Sequence, residues 1–152
     1  VARSIGLDRD DIARDYPCEF VSTGLEFLIV PVRSLEALRR IRMTGNEFGR
    51  GLYAFCEQGY DSTQDLAARM FARSLGVFED AATGSAAGCL AGYLSKHGLG
   101  VAADGHVRAS LAQGYEVGRP SALYLDACRT GEAFEIRVGG RVRFVAEGEW
   151  LL

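Results

Sequence analysis

An α+β fold, its mixed and mostly antiparallel sheet curved strongly around one central apolar helix, is the architecture this sequence predicts. Three observations carry it. Most apolar segments are short, β-rich and bounded by Gly or Pro, and they do not alternate regularly with helices, which argues against a doubly wound parallel sheet. One stretch, Ser85 to Gly98, has helix length without a polar stripe: apart from Ser85, Ser95, Lys96 and His97 it holds only Gly, Ala, Cys, Leu and Tyr, so protein must surround it. The 152 residues make a single domain, 1–152, long enough to bury a sizeable core.

The elements follow in order. Leu7 to Tyr16 reads as a short surface helix capped by Asp8 and stopped before Pro17. Two strands come next, Cys18 to Thr23 and Leu25 to Val32, the second almost wholly apolar and hence a core strand. Ser34 caps a helix running to Arg42, with Leu35, Leu38 and Ile41 on one side and Arg39, Arg40 and Arg42 near the carbonyl end, where cations are favoured. Gly45, Gly49 and Gly51 break the chain as a loop; their spacing lacks the G-K-[ST] ending of a phosphate-binding loop. Strands are expected over Gly51 to Glu57, Gln64 to Ala72, Val107 to Gln113, Ser121 to Ala127, Ala133 to Val138 and Val142 to Ala146.

Composition narrows the function classes. Seventeen basic residues against twenty acidic ones leave a net charge of −3, which provides no broad positive field for nucleic acid. No apolar run approaches the roughly 18 residues of a membrane span, and the start lacks a secretory h-region, so a cytoplasmic protein away from membranes is expected. Cys18, Cys56, Cys89 and Cys128 have neither C-x-x-C nor His at zinc-finger spacing, so free thiols and no metal site are expected.

The apolar helix carries the functional signal. Gly88 and Gly92 fall on one face with Ala91 and Ser95, while Leu90, Tyr93 and Leu94 supply bulk on the other. Each interior glycine costs about 0.8–1 kcal/mol relative to alanine, tolerable where the smooth face lets another element come close. At the helix start, Thr83-Gly84-Ser85-Ala86 places two hydroxyls and a glycine beside amides that have no intrahelical partner, at the positive end of the dipole. A ligand carboxylate belongs there, with Gly84 allowing approach to the backbone. The plain alternative is that Thr83 or Ser85 merely caps the helix. Asp80 tips the balance as an acceptor for a ligand N–H or O–H. In an extended stretch Glu79 points the opposite way, which makes it a structural or rim residue.

At these residues the chain resembles the PhzF family of phenazine-biosynthesis-type proteins, which has the diaminopimelate-epimerase fold. The likeness runs through GLEFLIVPV at 24–32, GLYAFCE at 51–57, ARMFA at 68–72, GVFEDAATGSAAGCLAGYL at 76–94, QGYEVGRPSALYL at 113–125 and VGGRVRFVAEGEWLL at 138–152. The string E-D-x-A-T-G-S-A-A-G is a specific signature. The resemblance implies two homologous halves facing across a cleft, of which this sequence matches only the C-terminal one. For Asp80, Gly84 and Ser85 it implies contact with the substrate's carboxylate and neighbouring polar groups.

The resemblance also sets what is missing. The family's catalytic glutamate belongs to the other half; Gly45-Asn46-Glu47 and Gly105-His106-Val107 only echo that half's G-N-P and G-H-A-T motifs. The best-known family reaction shifts a proton between ring carbons of trans-2,3-dihydro-3-hydroxyanthranilate, with no metal or organic cofactor. Related two-cysteine racemases place a thiol where this chain has Ala82, and Cys89 lies too far inside the helix to replace it. Ala81 stands where members commonly have Pro. His97 is expected to be a helix-end residue, His106 a solvent-facing turn residue and Arg119 an ion-pair or turn residue that can support the pocket.

The expected function is therefore the substrate-carboxylate-binding half of a cofactor-independent isomerase. Thr83, Gly84, Ser85 and Ala86 bind substrate and Asp80 is an auxiliary catalytic group. Its partners are a small amino- or hydroxy-carboxylate and an N-terminal half from the same or another chain. The isolated chain is expected to be inactive. The alternative is a stand-alone, or homodimeric, non-catalytic module that binds small anions.

Overall fold

The computed structural model describes residues 1–44 and 49–150. Strands β1 (Glu19–Ser22), β2 (Glu26–Pro31), β3 (Gly51–Cys56), β4 (Leu66–Ala72), β5 (Val77–Asp80), β6 (His106–Gln113), β7 (Ser121–Thr130) and β8 (Ala133–Gly140) are joined by two helices, α1 (Leu35–Arg40) and α2 (Gly84–His97). The strands form one sheet in the order β1-β2-β3-β4-β6-β7-β8, with β5 also on β4. Two pairings, β2 with β3 and β4 with β6, are parallel; the other pairings are antiparallel. A mixed, mostly antiparallel α+β fold with a curled sheet is thus what the chain adopts.

Central strands explain the apolar runs. In β2, β3 and β4 alternate residues enter two cores. Phe27, Ile29, Tyr53, Phe55, Ala68 and Met70 pack toward α2, whereas Leu28, Val30, Leu52, Ala54, Ala67 and Phe71 pack toward α1 and the N-terminal segment. Strands covered on both faces need no polar alternation. Ser34 caps α1 as expected, its hydroxyl accepting from the Ala37 amide at 3.1 Å. Helix α2 is buried from Ala86 through Leu94 and touches β1 and β2 at one end of the sheet and β7 and β8 at the other. Gly98, at φ 72°, ends it.

The glycine face of α2 does meet a strand. A Cβ at Gly92 would lie 3.1 Å from the tip of Ile136 on β8. At Gly88 the nearest atoms are Thr23 Oγ1 at 3.4 Å and the Val138 and Ile136 methyls at 3.8 and 3.9 Å, which is ordinary contact. The close-approach argument therefore holds at position 92 and not at 88. Gly88→Ala is expected to raise stability by about 0.8–1 kcal/mol through helix propensity, whereas Gly88→Leu should lower it by about 1–3 kcal/mol through overpacking against β8. Thermal unfolding of the two variants checks both signs.

Two expected elements do not form. Residues 7–16 make only a short 3₁₀ turn, Arg9–Asp11, closed by an Asp8–Asp11 capping box. The chain is then drawn to the end of β2: Ile12 bridges Val32, and the Ala13 amide donates to the Pro31 carbonyl. One tertiary bridge outweighs a helix too short to nucleate on its own. Residues 142–146 are irregular and exposed, because the neighbouring β7 begins at Ser121, just past the partner of Gly140, and among the described residues no other strand supplies hydrogen-bond partners there. Conversely, β5 went unseen in the sequence. The echo at Gly45-Asn46-Glu47 lies outside the described residues.

One feature of the sheet positions the site. The edge of β4 away from β3 is shared: β6 takes its first half, with Ala68 opposite Gln113, and β5 its second, with Met70 opposite Asp80. The ends of β5 and β6 therefore meet near Arg69, immediately before α2 begins.

Candidate functional site

Because β5 is extended, Glu79 and Asp80 point to opposite sides. Glu79 turns to the α1 side and takes a bidentate pair from Arg69, at 2.8 and 2.7 Å. It is structural, as expected. Asp80 turns toward the start of α2, where its Oδ2 accepts from the Thr83 hydroxyl at 2.7 Å and its Oδ1 from the Ala81 amide at 2.9 Å. The proline that the resemblance sets at position 81 has no N–H to make that second contact.

Thr83 occupies the N-cap position but does not cap through its side chain; its one proton goes to Asp80. The Thr83 carbonyl accepts the first intrahelical bond, from Ala87 at 2.9 Å. Among the described residues no hydrogen-bond partner meets the amides of Gly84, Ser85 and Ala86. Gly84 is exposed and Ser85 half-buried, while Thr83 and Ala86 are buried. A Cβ at Gly84 would meet nothing within 4 Å. The first turn is thus open at Gly84 and Ser85 and closed at its flanks. Beside it lies a groove of about 540 Å³ lined by Ala82, Gly84, Pro120, Ser121, Arg141 and Val142 among others.

Sequence reasoning missed the group that ties this corner together. Gln113, the last residue of β6, is fully buried. Its Oε1 accepts from the Tyr53 hydroxyl at 2.8 Å and from the Thr83 amide at 3.4 Å; its Nε2 donates to the Asp80 carbonyl at 2.9 Å and to Thr83 Oγ1 at 3.0 Å. Burial, and next the nearby Asp80 charge, push the Tyr53 phenol above its ordinary pKa, so it stays a donor. Arg141 was also missed; it brings a cation to the groove that holds Gly84.

The remaining candidates separate from the site. Arg119 is exposed, and among the described residues no carboxylate pairs with it, so of the expected ion-pair or turn role it is the turn that forms. Its backbone is tied to Gly114 by an amide bond of 2.9 Å, next to the groove-lining Pro120 and Ser121. His97 closes the last turn of α2 with its Nε2 3.0 Å from Glu19. His106 is not a free turn residue: it opens β6 and sits 2.7 Å from Asp126, because the β6–β7 register brings the two strands' polar edges together. Cys89 is buried against Thr23 and the Leu25 carbonyl. Among the described residues no three His, Cys, Asp or Glu side chains gather as a metal site, and no helix is long and apolar enough to cross a membrane.

Over residues 2–148 the chain matches the family PhzC-PhzF, phenazine biosynthesis-like protein. The chain belongs to that family. Among its PhzC-PhzF relatives, the trans-2,3-dihydro-3-hydroxyanthranilate isomerase of Pseudomonas fluorescens is 34% identical over 116 residues, 74% of this chain and 39% of the relative. An uncharacterized isomerase of Clostridium acetobutylicum is 26% identical over 99% of this chain and 53% of its own. The crystal structure of a Bacillus anthracis phenazine biosynthesis protein of the PhzF family superposes with a TM-score of 0.83 at 25% identity, over 91% of this chain and 50% of that one. This PhzF-family chain spans about half the length of these relatives.

Proposed function

We propose that residues 1–152 are one domain, the C-terminal, carboxylate-binding half of a PhzF-like isomerase, built as half of a diaminopimelate-epimerase-like pair around the central apolar helix α2. The observation that carries this reading is the open first turn of α2, whose Gly84 and Ser85 amides are uncapped while Asp80 stands beside them. A ligand carboxylate seats on those amides at the positive end of the helix dipole. Asp80, already holding the Thr83 hydroxyl, accepts from an N–H or O–H next to that carboxylate. The substrate class is a small amino- or hydroxy-carboxylate, in keeping with the name of the Pseudomonas fluorescens relative.

The reaction is a proton shift: a carboxylate side chain takes a proton from one carbon and returns it to another, with no net change in composition. That group is the glutamate of the other half, supplied by the same or another chain. Fixed amides stabilise the charge that develops near the carboxylate during the transfer. No metal or organic cofactor is needed for such a step. The exposed β8 and the exposed apolar side chains Val142, Phe144, Val145 and Trp150 after it fit a face that the other half covers.

The test is titration of the chain with benzoate and with 3-hydroxyanthranilate while following the backbone amide signals. Gly84 and Ser85 are expected to move first. Ser85→Ala should keep the fold and weaken binding about 3–10-fold, the effect of one hydrogen bond. Gly84→Val should melt near the parent temperature, since its Cβ meets nothing, yet weaken both acids at least about tenfold by filling the approach to the backbone. Undiminished binding by Gly84→Val would remove the seat from this turn. Addition of a glutamate-bearing N-terminal half should confer solvent proton exchange on the substrate; its absence favours a binding module without chemistry.

A further inference from the structure

We infer that Gln113 and Tyr53 are positioning residues for the carboxylate seat, turning the Thr83 hydroxyl toward Asp80 and away from the first turn of α2; the inference rests on the function proposed for that turn. A threonine at an N-cap ordinarily accepts from the amides two or three residues on, here Ser85 and Ala86. Thr83 does not, because its oxygen already accepts from Gln113 Nε2 at 3.0 Å and its single proton goes to Asp80 Oδ2 at 2.7 Å. The Ser85 amide, on the open part of the turn, is left for a ligand.

The direction of this relay depends on which way the Gln113 amide faces, and Tyr53 fixes it together with the Asp80 carbonyl, which only Nε2 can meet. Among the described residues the buried Tyr53 hydroxyl has no other hydrogen-bond partner than Gln113, so its proton is satisfied only when Oε1 faces it. Nε2 then faces Thr83 Oγ1 and the Asp80 carbonyl. Without the phenol, the amide is held in place at Oε1 only by the longer Thr83 amide contact of 3.4 Å. A turned-over amide would set its oxygen against the Asp80 carbonyl, so loss of the phenol loosens the group rather than inverting it; Thr83 Oγ1 then loses its fixed donor, and its hold on the Asp80 carboxylate slackens. Three separate elements, β3, β6 and the β5–α2 turn, meet in this one fully satisfied group, which no ladder hydrogen bond requires.

Two probes separate positioning from simple structural support. Benzoate reports the seat alone, and 3-hydroxyanthranilate adds neighbouring donors for Asp80. The parent chain is expected to prefer 3-hydroxyanthranilate, and Tyr53→Phe and Gln113→Glu to lower that affinity ratio by about 3–10-fold, the effect of one hydrogen bond. Thr83→Ser, which keeps the hydroxyl, should retain the ratio, and Thr83→Val should lose it. Proportional weakening of both probes, or an unchanged ratio, overturns the positioning role. If the parent binds the two acids equally, this inference fails while the seat stands; if it binds neither, both fail. Should Tyr53→Phe not fold, Gln113→Glu and the Thr83 pair decide the same question.

Discussion

Arg69→Met is expected to destabilise the chain by about 3–5 kcal/mol, the cost of removing one partner from a buried ion pair. The Arg69 side chain is only 5% exposed and its partner Glu79 12%. Besides the two bonds to Glu79, its Nη1 donates to the carbonyls of Leu38, Arg39 and Ile41 at 3.1, 3.2 and 3.1 Å. One guanidinium thus closes the C-terminal end of α1, neutralises Glu79 and fills the place where β5 and β6 part along β4. Methionine keeps much of the stem volume but strands the buried Glu79 carboxylate and takes one donor from each of three carbonyls, which keep the Ile41 amide at Leu38 and Arg42 Nη1 at Arg39 and Ile41. Urea unfolding gives the measurement. Glu79→Leu introduced alongside should recover part of the loss, because an apolar pair of similar size removes the stranded charge. A loss below about 1 kcal/mol would place Arg69 with ordinary surface ion pairs.

What could be read from the sequence, and what could not, divides along the range of the interactions. Ser34 and the arginines after it mark α1 by local chemistry alone, and the run through Leu28, Ile29 and Val30 marks a strand covered on both faces. The absence of a polar stripe after Ser85 is equally local, and the alternation of Glu79 and Asp80 assigned their two sides before β5 itself was recognised. Residues 7–16 and 142–146 fail for the opposite reason. Their outcome depends on whether a distant strand offers a partner, as Val32 does for Ile12 and as none does for 142–146 among the described residues. Gln113 and Tyr53 were hidden in the same way. Each reads as an ordinary strand residue until the shared edge of β4 sets Gln113 beside Asp80. A glutamine ending an otherwise apolar strand was the available signal, and it is weak without that pairing.

The same corner yields the sharpest packing test, at two glycines of one turn. Gly114 and Gly118 both have positive φ, 84° and 68°, so alanine at either carries a left-handed backbone penalty of about 1 kcal/mol or slightly more. They differ in space. A Cβ at Gly118 meets nothing within 4 Å, whereas one at Gly114 would lie 2.3 Å from the Arg119 carbonyl oxygen and 2.6 Å from that of Ala81. Both obstacles are backbone, which cannot swing aside as a side chain does. Gly118→Ala should therefore cost about 1 kcal/mol and Gly114→Ala more than about 3 kcal/mol, beyond the range of most single substitutions. Comparison of their unfolding midpoints in urea isolates the close approach, since the backbone penalty is common to both. Equal losses would mean that the turn does not press on Ala81. If the larger loss is found, a stabilised Gly114→Ala chain should also bind 3-hydroxyanthranilate more weakly, because Ala81 cannot retreat from the turn without moving the Asp80 carboxylate that its amide holds.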